Sequence, residues 1–258
     1  MSSIFTEFRA FILQLIIAVP GIYLAVVFHE VMHGYVALKN GDHTAESMGR
    51  LSLNPIKHID IFGSIIMPIL LLLLRSNIIF AYAKPVPINP AYFRNFRKGL
   101  RNTSLAGPGT NLLLAFILGS LYGFLLFIIS FISKRPPAEL LIDGFSYSPA
   151  NITLWGVVSA IFINAIMINI FLALFNFIPI PPLDGSKIVA SFLPEDAMYK
   201  YLSIGRIGFF IIFALLFLGG GLLWRFLNPA ISFLILNIGF WWRSFNPDIN
   251  NLLLQFFS

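Results

Sequence analysis

Residues 29 to 33 read HEVMH, two histidines and a glutamate spaced for hydrolytic chemistry. On a helix, His29 and His33 lie one turn apart on the same face, with Glu30 beside them. Two neutral imidazoles so arranged bind zinc, and the glutamate can take a proton from a metal-bound water. The competing reading is a chance match or a satisfied polar patch. Against it stands the position of the motif, in the last third of an apolar stretch, where an unpartnered ionisable group is costly.

A catalytic zinc commonly takes three protein ligands plus water, so two histidines leave one ligand to find. The chain has no cysteine, which restricts any metal ligand to His, Asp or Glu. Asp184, in NFIPIPPLDGSK, ends a 40-residue uncharged run that begins at Gly144. Pro179, Pro181 and Pro182 must interrupt a helix there, and irregular backbone at membrane depth is tolerated only where it lines a cavity. Asp184 also precedes Gly185 and an expected helix, where an aspartate serves well as an N-cap. From the residues alone both roles stand.

The elements that must position these groups are membrane spans. Of 258 residues, 58% are hydrophobic and 11% charged, and the mean hydropathy is +0.85, outside the range of soluble domains. Uncharged runs cover residues 10–28, 102–133, 144–183, 207–224 and 226–242. Each is near or above the roughly 20 residues that cross a bilayer, the last two being the shortest. The first run lacks a small-residue cleavage site and leads directly into HEVMH, so we read it as a retained span rather than a signal peptide.

Between the first two spans, GRLSLNP (49–55) and AYAKPVPINP (81–90) have the alternation and Asn-Pro punctuation of strands or extended segments. The apolar run between them, 61–74, is short for a crossing. The expected architecture is therefore an all-α polytopic membrane protein with about five transmembrane helices and a re-entrant or β-like membrane-associated segment between the first two. No repeat, linker or soluble insert divides the chain, which reads as one domain, with its core at about 10–195 and a C-terminal helix pair at about 203–245.

From Arg75 to Arg101 there are six basic residues and no acidic one, which puts this loop in the cytosol, with HEVMH toward the same side. The net charge of +6 thus reports orientation, and no nucleic-acid partner is expected. Arg94, Arg97, Lys98 and Arg101 are expected to contact anionic lipids. His43 and His58, outside the span motifs, are expected at the surface or in structural roles, not as ligands.

HEVMH, AGPGTN (106–111) and LFNFIPIPPLDG (174–185), in that order on successive spans, resemble the site-2 protease family of intramembrane zinc metalloproteases. The resemblance implies one zinc per chain held by His29, His33 and Asp184, with Glu30 as the catalytic glutamate. It also implies a substrate-holding role for Asn176 and matches Asn111 to the polar residue that ends the middle motif. It spans about residues 10–195, and the chain looks like the small bacterial or archaeal subgroup without PDZ or nucleotide-sensing domains.

Because HEVMH ends one span and AGPGTN begins the next, both must reach one metal from the same face. Residues 61–82 should then form a re-entrant hairpin or an interfacial element rather than a single crossing. If the first helix runs to about Leu38, the metal lies roughly 12 Å below its end at 1.5 Å per residue. The implied substrate is a membrane-spanning helix that unwinds and docks extended against GRLSLNP or AKPVPINP. Asn111 and Asn176 are expected to hold substrate backbone or the oxyanion, the plainer role for each being an interhelical hydrogen bond. Two other classes remain to be separated from a protease. A metal transporter would normally show two related halves, and HEVMH has no counterpart after residue 130. A catalytically silent relative would be expected to have lost Glu30 or a ligand, and all are present.

Overall fold

The computed structural model describes residues 2–66, 70, 83–145, 153–217 and 221–257. The helices, in chain order, are α1 (Ser2–Lys39), α2 (Thr44–Ser47), α3 (Phe96–Ser133), α4 (Pro137–Phe145) and α5 (Leu154–Phe177), then α6 (Asp184–Ala190), α7 (Glu195–Ser203), α8 (Gly205–Phe217), α9 (Leu222–Leu234) and α10 (Pro247–Phe257). Three contain apolar stretches long enough to cross a membrane, at Phe8–Lys39, Phe96–Ser133 and Leu154–Phe177, which are the first three uncharged runs of the sequence. Pro20 lies inside α1 and Pro108 inside α3. Membrane helices tolerate such breaks when neighbouring groups satisfy the freed carbonyls. The last two runs appear as α8 and α9, of 13 residues each. Of the expected re-entrant element at 61–82, the described residues hold only a π-helical turn at Ile61–Ile66 and Leu70, so 67–69 and 71–82 lie outside them.

The chain forms two compact units. The first comprises Met1–Ala25, Asn111–Leu174 and Leu227–Ser258. Its core gathers Tyr122, Leu126, Ile166, Phe240 and Leu253, all fully buried. The phenol of Tyr122 shares a short hydrogen bond with Ser159 Oγ, and the indole N–H groups of Trp242 and Trp155 donate to the Gly119 and Leu140 carbonyls, so these polar atoms of the aromatic cluster are satisfied. Small residues bring the backbones together, because in lipid helices associate by close packing rather than by hydrophobic exclusion. A Cβ on Gly21 would lie 2.8 Å from Ala165 Cα, and one on Gly119 would collide with the Gly239 carbonyl.

The second unit comprises Val26–Thr110 and Phe175–Phe226, and holds HEVMH and Asp184 together. Gly34, one turn beyond Glu30 on α1, lets the two extended segments close onto that helix. A Cβ there would come 2.6 Å from Leu51 Cδ2 and 2.7 Å from Val86 Cγ1. Residues 51–54 and 83–89 are neither helical nor in a strand, with Asn54 and Asn89 extended, and no β-strand occurs among the described residues. Pro85, Pro87 and Pro90 have no N–H to give a ladder. Side chains and single backbone bonds hold the segments instead. The buried Arg50 donates from Nη2 to the carbonyls of Lys84 at 2.9 Å and Pro85 at 3.2 Å. Lys84 N–H donates to the His58 carbonyl at 2.9 Å, and Asn89 N–H to the buried Asp42 carboxylate at 2.7 Å.

Candidate metal centre

Helix α1 presents His29 and His33 one turn apart, and the loop after α5 brings Asp184 to them across 151 residues of sequence. His33 Nε2 lies 3.0 Å from His29 Nε2 and 2.9 Å from Asp184 Oδ2, and His29 Nε2 lies 3.2 Å from the same oxygen. All three side chains are buried. Ligands around a tetrahedral zinc, bound at about 2.0–2.2 Å, are separated by about 3.3–3.5 Å, close to this triangle.

The proton inventory favours a cation at the triangle. His33 Nδ1 donates to the Thr103 carbonyl at 2.6 Å, and a carbonyl can only accept. The ring proton of neutral His33 is therefore on Nδ1, which leaves a lone pair on Nε2 facing a carboxylate oxygen. Either an added proton or a shared metal ion must resolve that contact. Gly107 decides where an ion would fit. A Cβ built on it would lie 2.6 Å from His29 Nε2 and collide with His33 Nε2. The missing side chain thus leaves space directly against both imidazole nitrogens. The residues present fit a zinc site, with His33 oriented by a second hydrogen bond, as metal-binding histidines usually are.

Asp184 does not cap the helix it begins. The N-cap of α6 is Leu183, extended at φ −65° and ψ 159°, and Asp184 occupies the first helical position. Its Oδ2 faces the imidazoles, and its Oδ1 accepts from Lys187 Nζ at 3.0 Å, one turn on. Lys187 neutralises part of the charge that would otherwise be buried with the carboxylate. Three prolines and Gly185 make this approach possible. A Cβ on Gly185 would lie 2.6 Å from the Ile178 carbonyl oxygen. Tyr201 holds the other end of the loop, donating from its hydroxyl to the Pro179 carbonyl at 2.5 Å. Burial raises its phenol above the ordinary value, so it remains a donor.

Glu30 accepts the Val86 N–H on Oε2 at 2.8 Å. The carboxylate beside the histidines is therefore held by the proline-rich segment, and that segment is braced in turn by Arg50.

Asn176 is half-buried in the last turn of α5, in the same unit as the cluster. Asn111 belongs to the other unit. Its fully buried amide donates to the Ala25 carbonyl and to Asn169 Oδ1, both at 3.0 Å. These bonds stitch α1, α3 and α5. Asn111→Leu should lower the melting temperature in detergent by an amount equivalent to about 1 kcal/mol, with the zinc content unchanged. Lost zinc at unchanged stability would instead tie Asn111 to the cluster.

His43 is exposed and paired with Glu46 at 2.8 Å, and buried His58 donates to the Ser52 carbonyl at 2.7 Å; neither joins the cluster. Arg97 donates to the Ser191 carbonyl at 3.4 Å, and the Arg101 guanidinium lies 5.2 Å from the centre of the Phe192 ring.

Span-length apolar helices that carry such a ligand triangle beside a glutamate define a membrane metalloprotease. The model for Peptidase family M50 matches residues 17–219, and the chain belongs to that family, the site-2 proteases. It is 36% identical over 208 residues to "Putative zinc metalloprotease YwhC" of Bacillus subtilis, covering 80% of this chain and 83% of that protein. It is 32% identical to "Putative zinc metalloprotease MJ0611" of Methanocaldococcus jannaschii, over 69% of this chain and 71% of that one. The identity to "Putative zinc metalloprotease Rip2" of Mycolicibacterium smegmatis is 25%, over 78% of this chain and 66% of the relative. No solved structure matches the chain.

Proposed function

We propose that this protein is an intramembrane zinc endopeptidase that hydrolyses a peptide bond within or near a transmembrane helix of a membrane-protein substrate, as in regulated intramembrane proteolysis. The observation that carries the reading is the buried triangle of His29, His33 and Asp184, opened on one side by Gly107. His29, His33 and Asp184 would hold one zinc ion, which when bound supplies a Lewis acid and acidifies water. Glu30 takes a proton from the attacking water and delivers it to the departing amine as the C–N bond breaks. The Val86 N–H keeps Glu30 Oε2 engaged, leaving Oε1 for the proton.

Asn176 holds the substrate backbone in this reading, and the interhelical bonds of Asn111 support a structural role for that residue. The substrate helix must unwind, because a helical amide is shielded by its own hydrogen bonds. Of the two segments proposed to receive it, 84–89 has three of its partners already assigned, to His58, Glu30 and Asp42. GRLSLNP is engaged to a similar degree, through Gly49 N–H to the Glu46 carbonyl, Arg50 N–H to the Ala45 carbonyl and Asn54 N–H to Ser52 Oγ, so both segments stand as docking sites in this reading. Helices α8 and α9 serve as fourth and fifth crossings of a bacterial or archaeal cell membrane. His33 lies six residues before the end of α1, and the basic stretch 75–101 follows, so the site opens toward the cytosol.

Metal analysis of detergent-purified protein tests the reading. About one zinc per chain is expected in the wild type, lost in Asp184→Ala and kept in His43→Ala. A wild type without metal, or metal indifferent to Asp184, would leave the triangle as a protonated structural cluster. Attention would then pass to a silent membrane-protein-binding relative or a transporter.

A further inference from the structure

Asp184 hangs from a loop that donates little to its own support, since Pro179, Pro181 and Pro182 have no N–H. Within the loop, Ile180 N–H donates to Ile178 at 2.9 Å and Leu183 N–H to Ile180 at 3.0 Å. Further contacts come from later in the chain. Tyr201 of α7 holds the Pro179 carbonyl. Gly208, in the first turn of α8, lies directly against Pro181. A Cβ on it would collide with the Pro181 carbonyl oxygen, stand 2.9 Å from the Pro181 carbonyl carbon and 3.4 Å from Ile180 Cγ2. The obstacle is backbone, which cannot swing aside as a side-chain tip can. Gly205, three residues earlier in the same helix, has room, and a Cβ there would meet only Pro181 Cβ at 4.0 Å.

We propose that Gly208 and Tyr201 are positioning residues for the third metal ligand: α7 and α8 seat the Pro179–Pro182 loop so that Asp184 Oδ2 reaches His29 and His33. The inference rests on the reading of Asp184 as a zinc ligand. The two histidines share one rigid helix turn and need no such help, whereas Asp184 moves with its loop. Displacing Pro181 by the width of a methyl group shifts a carboxylate only three residues away. Metal affinity is sensitive to shifts of this kind, and loss of an outer partner typically weakens it 10–100-fold.

The test is zinc affinity by chelator competition on the purified full chain, with the melting temperature of the metal-free protein measured alongside. Gly208→Ala should weaken zinc about 10–100-fold and Tyr201→Phe several-fold, with Gly205→Ala unchanged. Metal-free melting temperatures of Gly205→Ala and Tyr201→Phe should stay near that of the wild type, and Gly208→Ala, whose new methyl meets backbone, is read where its metal-free form remains folded. If Gly208→Ala does not fold, Tyr201→Phe decides, being a milder change that removes only one hydrogen bond. Wild-type affinity in whichever variant decides, or a loss matched by Gly205→Ala, overturns the proposal while leaving the ligand assignment intact. A wild type that binds no zinc overturns both, so the two failures are distinguishable.

Discussion

Gly107→Ala should empty the site of zinc, and Gly109→Ala, two residues along the same helix, should not. Both substitutions gain helix propensity, by up to about 1 kcal/mol, so backbone preference cannot separate them. Space does. The new methyl at Gly107 would fall 2.6 Å from His29 Nε2 and closer still to His33 Nε2, whereas a Cβ at Gly109 meets nothing within 4 Å. The methyl would occupy the volume between the nitrogens and remove the coordination point, so an affinity loss well beyond 100-fold is expected. Metal analysis and chelator competition on the two variants decide the matter. Equal zinc in both would mean that the metal, if any, lies on the other side of the imidazoles from Gly107.

Glu30→Gln should keep zinc near one per chain and lower cleavage by about 10²–10⁴-fold, the range for losing a general acid–base group. Glutamine is the informative replacement. Its side-chain oxygen can still accept the Val86 N–H, so the proline-rich segment stays fastened while the basic group is lost. Glu30→Ala would release that segment as well and mix two effects. The assay follows a tagged single-span membrane protein that the wild type cuts, with zinc measured on the same preparations. Undiminished cleavage by Glu30→Gln at full zinc would end the mechanism, and zinc lost along with cleavage would make Glu30 part of the metal site instead.

Side chains that carry charge are legible in the sequence, and those that work through backbone are not. HEVMH and Asp184 are legible because ionisable groups in apolar runs demand a reason. Thr103, Val86 and Tyr201 are not legible. Two of them contribute a carbonyl or an amide that any residue would carry, and the hydroxyl of Tyr201 looks like any interfacial tyrosine. Lys187 could have been found, since Asp-x-x-Lys at the start of a helix sets the two side chains one turn apart. Gly107 was visible inside AGPGTN, but only the fold reveals that its missing side chain matters to the imidazoles. The N-cap alternative for Asp184 failed by one residue, because Leu183 supplies the extended conformation that begins the helix. Of the expected strands or extended segments, no strand occurs among the described residues, for a reason the sequence did contain. Alternate prolines leave too few N–H groups for a ladder, and Arg50 supplies donors in their place.

The 151 residues between His33 and Asp184 also set a clock. At about 5–20 residues per second, a ribosome needs roughly 8–30 s to reach the aspartate after completing the histidine pair. Throughout that interval the first helix must reside in or beside the bilayer with both imidazoles lacking the Asp184 carboxylate, although Val86 for Glu30 and Thr103 for His33 Nδ1 are made earlier. With His29, His33 and Asp184 as the proposed zinc ligands, the third would not yet exist, and stable metal capture would belong to the finished chain rather than to the emerging one. Cells starved of zinc should accordingly accumulate full-length, inserted protein that becomes loaded when the metal returns, without new synthesis.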